Sequence, residues 1–432
     1  MAVSRSVSSG RRLIREHLRD PLYRTGYYLI LGTGTTAVLG VAFWALAAQA
    51  YPARVVGLNS AAISAMMLVS GACTLGLSAV LVRYLPVAGR STRALVVGSY
   101  SATVALSLVF GALAAATSPL WSPRLDFLSE GGWLIGFTLA TAAMTVFTLQ
   151  DSVLTGLKSA KWIPLENSLY SLAKLILLFA LVGALPVSGL FVAWTAPLPV
   201  AALLVSLLIF RRLIPGVRSH GTLDRRQLMG TARGNYGGFL CNLVATLFLP
   251  VLIANLTSAS ETAYFYVPWA IFLALALVAV SMMASLTVEA ATDMAQIRQL
   301  TRRALRQTML LVCPLAAVIA IAAPWLLLAS GEAYADAGAG LLRIFAAAQV
   351  PHAFVLLGSS VARLEHRGGV VLAVHAAEAV LVLGLTAILV PSMGINGAGV
   401  AWLLSHALIA VVLLAGILRP LLLPQRWGGS FS

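Results

Sequence analysis

Stretches of about twenty apolar residues recur from one end of this chain to the other. Each is long enough to cross roughly 30 Å of hydrocarbon as a helix. With 60% hydrophobic and only 10% charged residues in 432, and a mean hydropathy of +0.92, no water-soluble fold hides the apolar surface. A soluble domain carries about 25% charged residues. A membrane β-barrel needs short alternating strands, which the sequence does not offer. The expected fold is an all-α integral membrane protein. Punctuation by Gly, Pro and charge divides it into about twelve spans: 26–50, 57–82, 94–116, 132–157, 163–184, 188–210, 235–256, 263–287, 308–329, 338–362, 369–390 and 395–418.

The loops support that count. Lys and Arg collect in cytoplasmic loops. Here 25 of the 29 fall in the N-terminal segment, in every second loop and in the C-terminal tail; the alternate loops hold only Arg54 and Arg124. Both termini are therefore expected on the cytoplasmic side of a plasma membrane. The net charge of +15 reads as a topology signal rather than a nucleic-acid surface. The arginine pair at 11–12 reads as part of an uncleaved anchor rather than an export signal. Three lysines against twenty-six arginines point to a GC-rich, bacterial genome.

An internal repeat organises the spans. "SGLFVAW" at 188–194 matches "NGAGVAW" at 396–402, and "DSV" at 151–153 faces "SSV" at 359–361, both at an offset of 208. "YRTGYY" at 23–28 resembles "ARGNYG" at 232–237, offset 209. The chain reads as a basic N-terminal segment (1–25), a six-helix bundle (26–210), a basic linker (211–234), a second six-helix bundle (235–418) and a tail (419–432). An even number of spans per half makes the repeat parallel. Substrate sites of such transporters lie between the halves near the midplane. Pro197, Pro199 and Pro250 are expected kinks.

Cys73, Cys241 and Cys313 lie in different apolar runs, and the six histidines are scattered in sequence. No metal, cofactor, nucleophile or paired-carboxylate constellation has usable spacing, so the chain is not read as an enzyme. Glycine clusters such as "LGTGTTAVLG" lack the context of a phosphate loop and read as close-packing sites. What remains are ionisable groups within the spans: Asp151, Glu166, Lys174, Arg343 and Glu378. Arg343 is near enough to a surface to snorkel. Lys174 is roughly 18–20 Å from either surface, too deep for that. Glu166, Tyr170 and Lys174 share one face of span 5. Asp151 lies in the neighbouring span 4. Glu378, one turn from His375, lies in span 11 and is the repeat counterpart of Tyr170. Two readings stand open. Lys174 lines a polar cavity and binds an anion, with the carboxylates coupling a cation, or these groups are buried ion pairs that hold helices together.

The stretch 23–61, "YRTGYYLILGTGTTAVLGVAFWALAAQAYPARVVGLNSA", with "LGLSAVLVRYLP" (75–86), resembles the oligosaccharide flippases of bacterial polysaccharide biosynthesis. So does "LLRIFAAAQVPHAFVLLGSSVARLEHR" (341–367) followed by "GINGAGVAWLL" (394–404). This Wzx-like family belongs to the multidrug/oligosaccharidyl-lipid/polysaccharide (MOP) exporter superfamily. The resemblance implies two bundles in a V that open alternately to each side. It implies a polyprenyl-pyrophosphate-linked oligosaccharide as cargo, with glycosyltransferases and a polymerase as partners, and no cofactor. A Lys or Arg can neutralise the pyrophosphate. Lys174 is the basic residue deep enough, and Arg24 and Arg83 stand where a headgroup is first met. A cation-coupled drug or metabolite antiporter of the same superfamily and a non-transporting scaffold of a glycan-assembly complex are the alternatives. Lipid II flippases usually have fourteen spans and deep arginines in the early helices, which this chain lacks.

Overall fold

The computed structural model describes residues 21–216, 225–292 and 296–422, with side chains of the first helix described from Gly34 onward. Among these residues the chain is helical throughout, and eleven helices are long and apolar enough to cross a membrane. Span 1 is a 30-residue helix, Pro21–Ala50, whose described apolar part is Gly34–Ala50. The protein is a multi-pass membrane protein. The side carrying the arginine-rich loops is called the basic face below.

Most spans start and stop near the expected residues, and the exceptions have local causes. Span 2 was expected to be continuous. Instead it is two helices, Ala53–Cys73 and Leu77–Tyr84, broken where Leu75 and Gly76 take left-handed φ of 51° and 70°. A Cβ on Gly76 would lie 2.7 Å from the carbonyl oxygen of Ala232, so the break lets span 7 approach. Span 6 divides into Gly189–Thr195 and Pro197–Leu208, and span 7 into Arg225–Leu247 and Leu249–Leu256. Both breaks fall at the prolines expected to kink them, because a proline ring cannot continue the preceding turn. Span 7 thus begins inside the stretch expected to be linker. Span 9 (Ile297–Leu328) begins earlier than expected because the arginine-bearing segment before residue 308 is itself helical.

The remaining spans are 3 (Thr92–Ala116), 4 (Gly131–Gly156), 5 (Trp162–Leu181), 8 (Ala259–Thr292), 10 (Glu332–Leu364), 11 (Gly368–Met393) and 12 (Ile395–Leu413). Span 8 opens with a reciprocal cap: Glu261 N–H donates to Ser258 Oγ at 3.2 Å, and Ser258 N–H donates to Glu261 Oε2 at 2.9 Å.

The two halves repeat one packing scheme. Span 1 lies on span 5, 3 on 4, 2 on 3 and 4, and 6 on 4 and 5. Spans 7 and 11, 9 and 10, 8 with 9 and 10, and 12 with 10 and 11 do the same. The turns agree bond for bond. Lys158 and His366, 208 residues apart, both take left-handed φ, 55° and 58°. Ser159 N–H donates to Leu154 O and Lys158 N–H to Thr155 O; Arg367 N–H donates to Ala362 O and His366 N–H to Arg363 O. Each is a Schellman cap, with its 6→1 and 5→2 bonds. Gly189 and Gly397 repeat as well: a Cβ on either would press on the carbonyl oxygen of Leu181 or of Leu389.

Spans 1 and 2 meet spans 7 and 8 along the seam between the bundles. Away from the basic face, a Cβ on Gly57 would fall 1.8 Å from Ala259 O, so only glycine permits the approach. Trp44 of span 1 meets Tyr266 of span 8 with ring centroids 4.4 Å apart. Ser122 Oγ donates to Asn255 Oδ1 at 2.7 Å, and Asn255 Nδ2 to Trp121 O at 3.0 Å. Toward the basic face, Tyr236 OH donates to Ala72 O at 2.8 Å, and Tyr84 OH lies 3.1 Å from Thr231 Oγ1.

Candidate functional site

Lys174 is buried in the N-terminal half between spans 1, 5 and 6. Its ammonium sits 5.1 Å from the Phe43 ring centroid, 5.2 Å from that of Tyr170 and 5.8 Å from that of Trp194. All three distances are within cation–π range. Tyr170 is fixed in turn, its hydroxyl donating to Trp194 O at 2.9 Å and its ring meeting Phe147 at 5.0 Å. Among the described residues no carboxylate forms an ion pair with Lys174. The ion pair with Glu166 or Asp151, one of the two readings of the sequence, is therefore not formed. The physical reason is depth: Glu166 lies two turns nearer the basic face on the same helix.

Asp151 and Glu166 stand across the span 4–span 5 turn from each other and lie in each other's field. Both Glu166 oxygens and Asp151 Oδ1 are buried without a hydrogen-bond partner. Gln150 and the Tyr100 hydroxyl lie beside them and face each other. Gln150 is anchored by its amide nitrogen, which donates to Ala202 O at 2.7 Å and Ser206 Oγ at 3.0 Å.

In the C-terminal half, Glu378 is buried and held at both oxygens. His375 Nδ1 lies 2.9 Å from Oε2 and His406 Nε2 3.1 Å from Oε1. His406 Nδ1 donates to Trp402 O at 2.8 Å. His352 of span 10 stacks on His406 with centroids 4.9 Å apart and planes 8° from parallel, and its Nδ1 is buried without a partner. The histidines read as scattered thus converge: of the chain's six, two hold one carboxylate and a third stacks on one of them. His375 and Glu378 were singled out from the sequence. His352 and His406 were not, because a lone histidine in an apolar run carries no spacing signal. The repeat offered one: Trp402, a turn before His406, is the 208-offset partner of the cage residue Trp194.

Arg83 is exposed at the basic face, its guanidinium 5.6 Å from the Tyr84 ring centroid. The Arg24 side chain lies outside the described residues. An apolar cavity of about 530 Å³ opens on the seam between spans 2, 3 and 7, walled by Leu68, Leu106, Phe110, Leu240 and Val244, with Tyr236 at its edge. Neither Lys174 nor Glu378 lines it.

No protein-family model matches the chain, and comparison with curated proteins finds no match. Solved structures do resemble it. A lipid II flippase, MurJ, in an inward closed conformation matches with a TM-score of 0.71 at 13% identity over 90% of this chain and 86% of that one. A multidrug-resistance MATE-family transporter of the MOP superfamily, inward-facing, gives 0.66 at 17% over 89% and 94%. A MOP-superfamily transporter from Pyrococcus furiosus, with a binding pocket described as reversed in polarity, gives 0.64 at 16% over 94% and 97%. At these identities the likeness establishes the fold, that of the MOP-superfamily transporters.

Proposed function

We propose that this chain is a transporter that works by alternating access of its two halves and flips a polyprenyl-pyrophosphate-linked oligosaccharide across the plasma membrane. In this reading the basic face is cytoplasmic, and the glycan serves cell-surface polysaccharide biosynthesis alongside glycosyltransferases and a polymerase. The observation that carries it is Lys174, a buried cation that no carboxylate among the described residues pairs with, enclosed by three rings. One of those rings, Phe43, neighbours Trp44, which touches Tyr266 of the opposite half. A rocking of span 1 would uncover a positive charge at the seam, which favours an anionic headgroup over a cationic drug. Arg83, and Arg24 on the same side, would gather that headgroup first. The apolar cavity on the seam suits the hydrocarbon part of the cargo.

One observation favours the cation-coupled antiporter instead: both Glu166 oxygens and Asp151 Oδ1, without hydrogen-bond partners, form an acceptor-rich pocket suited to a hard cation. Reconstituted full-length protein separates the two. Lipid-linked glycan should flip in liposomes, and Lys174→Ala should slow it about tenfold or more, the equivalent of roughly 1.4 kcal/mol. Lys174→Arg should retain part of the rate. Export of a cationic dye that survives Lys174→Ala, with no glycan flipping by the parent protein, would favour the antiporter.

A further inference from the structure

The Glu378 cluster permits a count of protons. A backbone carbonyl only accepts, so His406 Nδ1, 2.8 Å from Trp402 O, carries a hydrogen. The ring's other nitrogen, Nε2, faces Glu378 Oε1 at 3.1 Å. If His406 were neutral and Glu378 ionised, that contact would set two bare acceptors against each other. Only a further proton resolves it, either on Nε2 or on the carboxyl oxygen. In both placements the pair is neutral as a whole, which the membrane interior favours. His375 Nδ1 holds the other carboxyl oxygen at 2.9 Å.

We infer that Glu378 and His406 form a buried proton-binding site that holds one exchangeable proton between them, with His375 on the second carboxyl oxygen and His352 stacked on His406, and whose occupancy biases how the two halves meet. His352 stacks face to face on His406, so charge on one ring disfavours charge on the other. Around the site, span 10 presents His352 and Gln349, span 12 presents Trp402, Ser405 and His406, span 8 presents Phe272, and span 7 presents Gly238, where an added Cβ would lie 3.7 Å from the His375 ring. Among the described residues, the ionisable groups that sense one another here are His352, His375, Glu378 and His406.

The link to the halves is physical contact. Trp402, 4.5 Å from His406, meets Trp269 and Phe272 of span 8 at 4.8 and 5.4 Å. Span 8 carries the contacts of Ala259 with Gly57 and of Tyr266 with Trp44. A change in charge at His406 thus acts on an aromatic stack that ends on the element joining the bundles. The inference names the coupling ion of the proposed transporter, yet its test uses no cargo, so its failure would leave the transport reading standing.

Full-length protein with nitrogen-15-labelled histidine, in lipid nanodiscs, reports the proton directly. At neutral pH one ring should be doubly protonated or strongly hydrogen-bonded to a carboxyl proton. Glu378→Gln should abolish that signal. Spin labels at Lys158→Cys and His366→Cys, on the equivalent turns of the two halves, with the native cysteines replaced by serine, report the conformation. Their distance distribution should shift with pH with the slope of a single proton. Glu378→Gln and His406→Gln should remove the shift, and Glu378→Asp, which keeps an ionisable group, should retain it at a displaced midpoint. Absence of the proton signal in the parent protein would overturn the proposal. So would a proton signal without a conformational shift, which would reduce the cluster to static polar glue, or a shift that survives Glu378→Gln. Thermal melts of each variant exclude misfolding as the cause of any loss.

Discussion

A lysine ammonium near the middle of a bilayer costs about 2.5–3.5 kcal/mol on insertion scales. The rings around Lys174 offset a cost of that size, since desolvated cation–π contacts contribute about 2 kcal/mol each at best. This arrangement separates the fold's needs from the function's. Lys174→Met keeps the apolar stem and removes the buried charge, so thermal stability should hold or rise while glycan flipping falls. Trp194→Leu should lower stability by about 1–2 kcal/mol in a thermal or chemical melt. The sequence flagged Lys174 because a charge in an apolar run is conspicuous. Its cage was hidden, because Phe43 and Trp194 lie in other spans, where an aromatic residue looks like any other packing group. His406 was hidden for the same reason.

Among the helices, length and hydropathy placed nearly every span, because about twenty apolar residues have few alternatives in lipid. Breaks at prolines were legible for the same physical reason that makes them breaks. The break at Leu75–Gly76 was not, since it answers to the approach of span 7, a tertiary demand. Two predictions belong to this scale. Gly57→Ala should force span 2 from span 8, lengthening the distance between labels at Arg54→Cys and Ser260→Cys and lowering stability by about 1–3 kcal/mol. Lys158→Gly should do the reverse locally. A left-handed non-glycine residue costs roughly 1–2 kcal/mol, so glycine there should raise the melting temperature without altering flipping.

For the whole molecule, three short sequence matches at nearly one offset were enough to expose two halves, and the packing scheme and turn hydrogen bonds repeat at that offset. The cluster at Glu378 needed three spans brought together before it could be seen. Because each half satisfies most of its own contacts, the chain should tolerate division. Fragments 1–220 and 221–432, expressed together, should co-purify and restore flipping, and Gly57→Leu in the first fragment should weaken their association.

The matched turns at Lys158 and His366 bear on how such a molecule diversifies. A Schellman cap is written in backbone bonds, so the side chains across it are free to drift. That leaves "TGLKSA" in one half and "RLEHRG" in the other on the same turn. A duplicated ancestor can then rewrite the charge carried by each hairpin without disturbing the angle at which it stands. Exchange of 153–171 with 361–379 would graft one half's chemistry onto the other's scaffold and keep the hairpin intact.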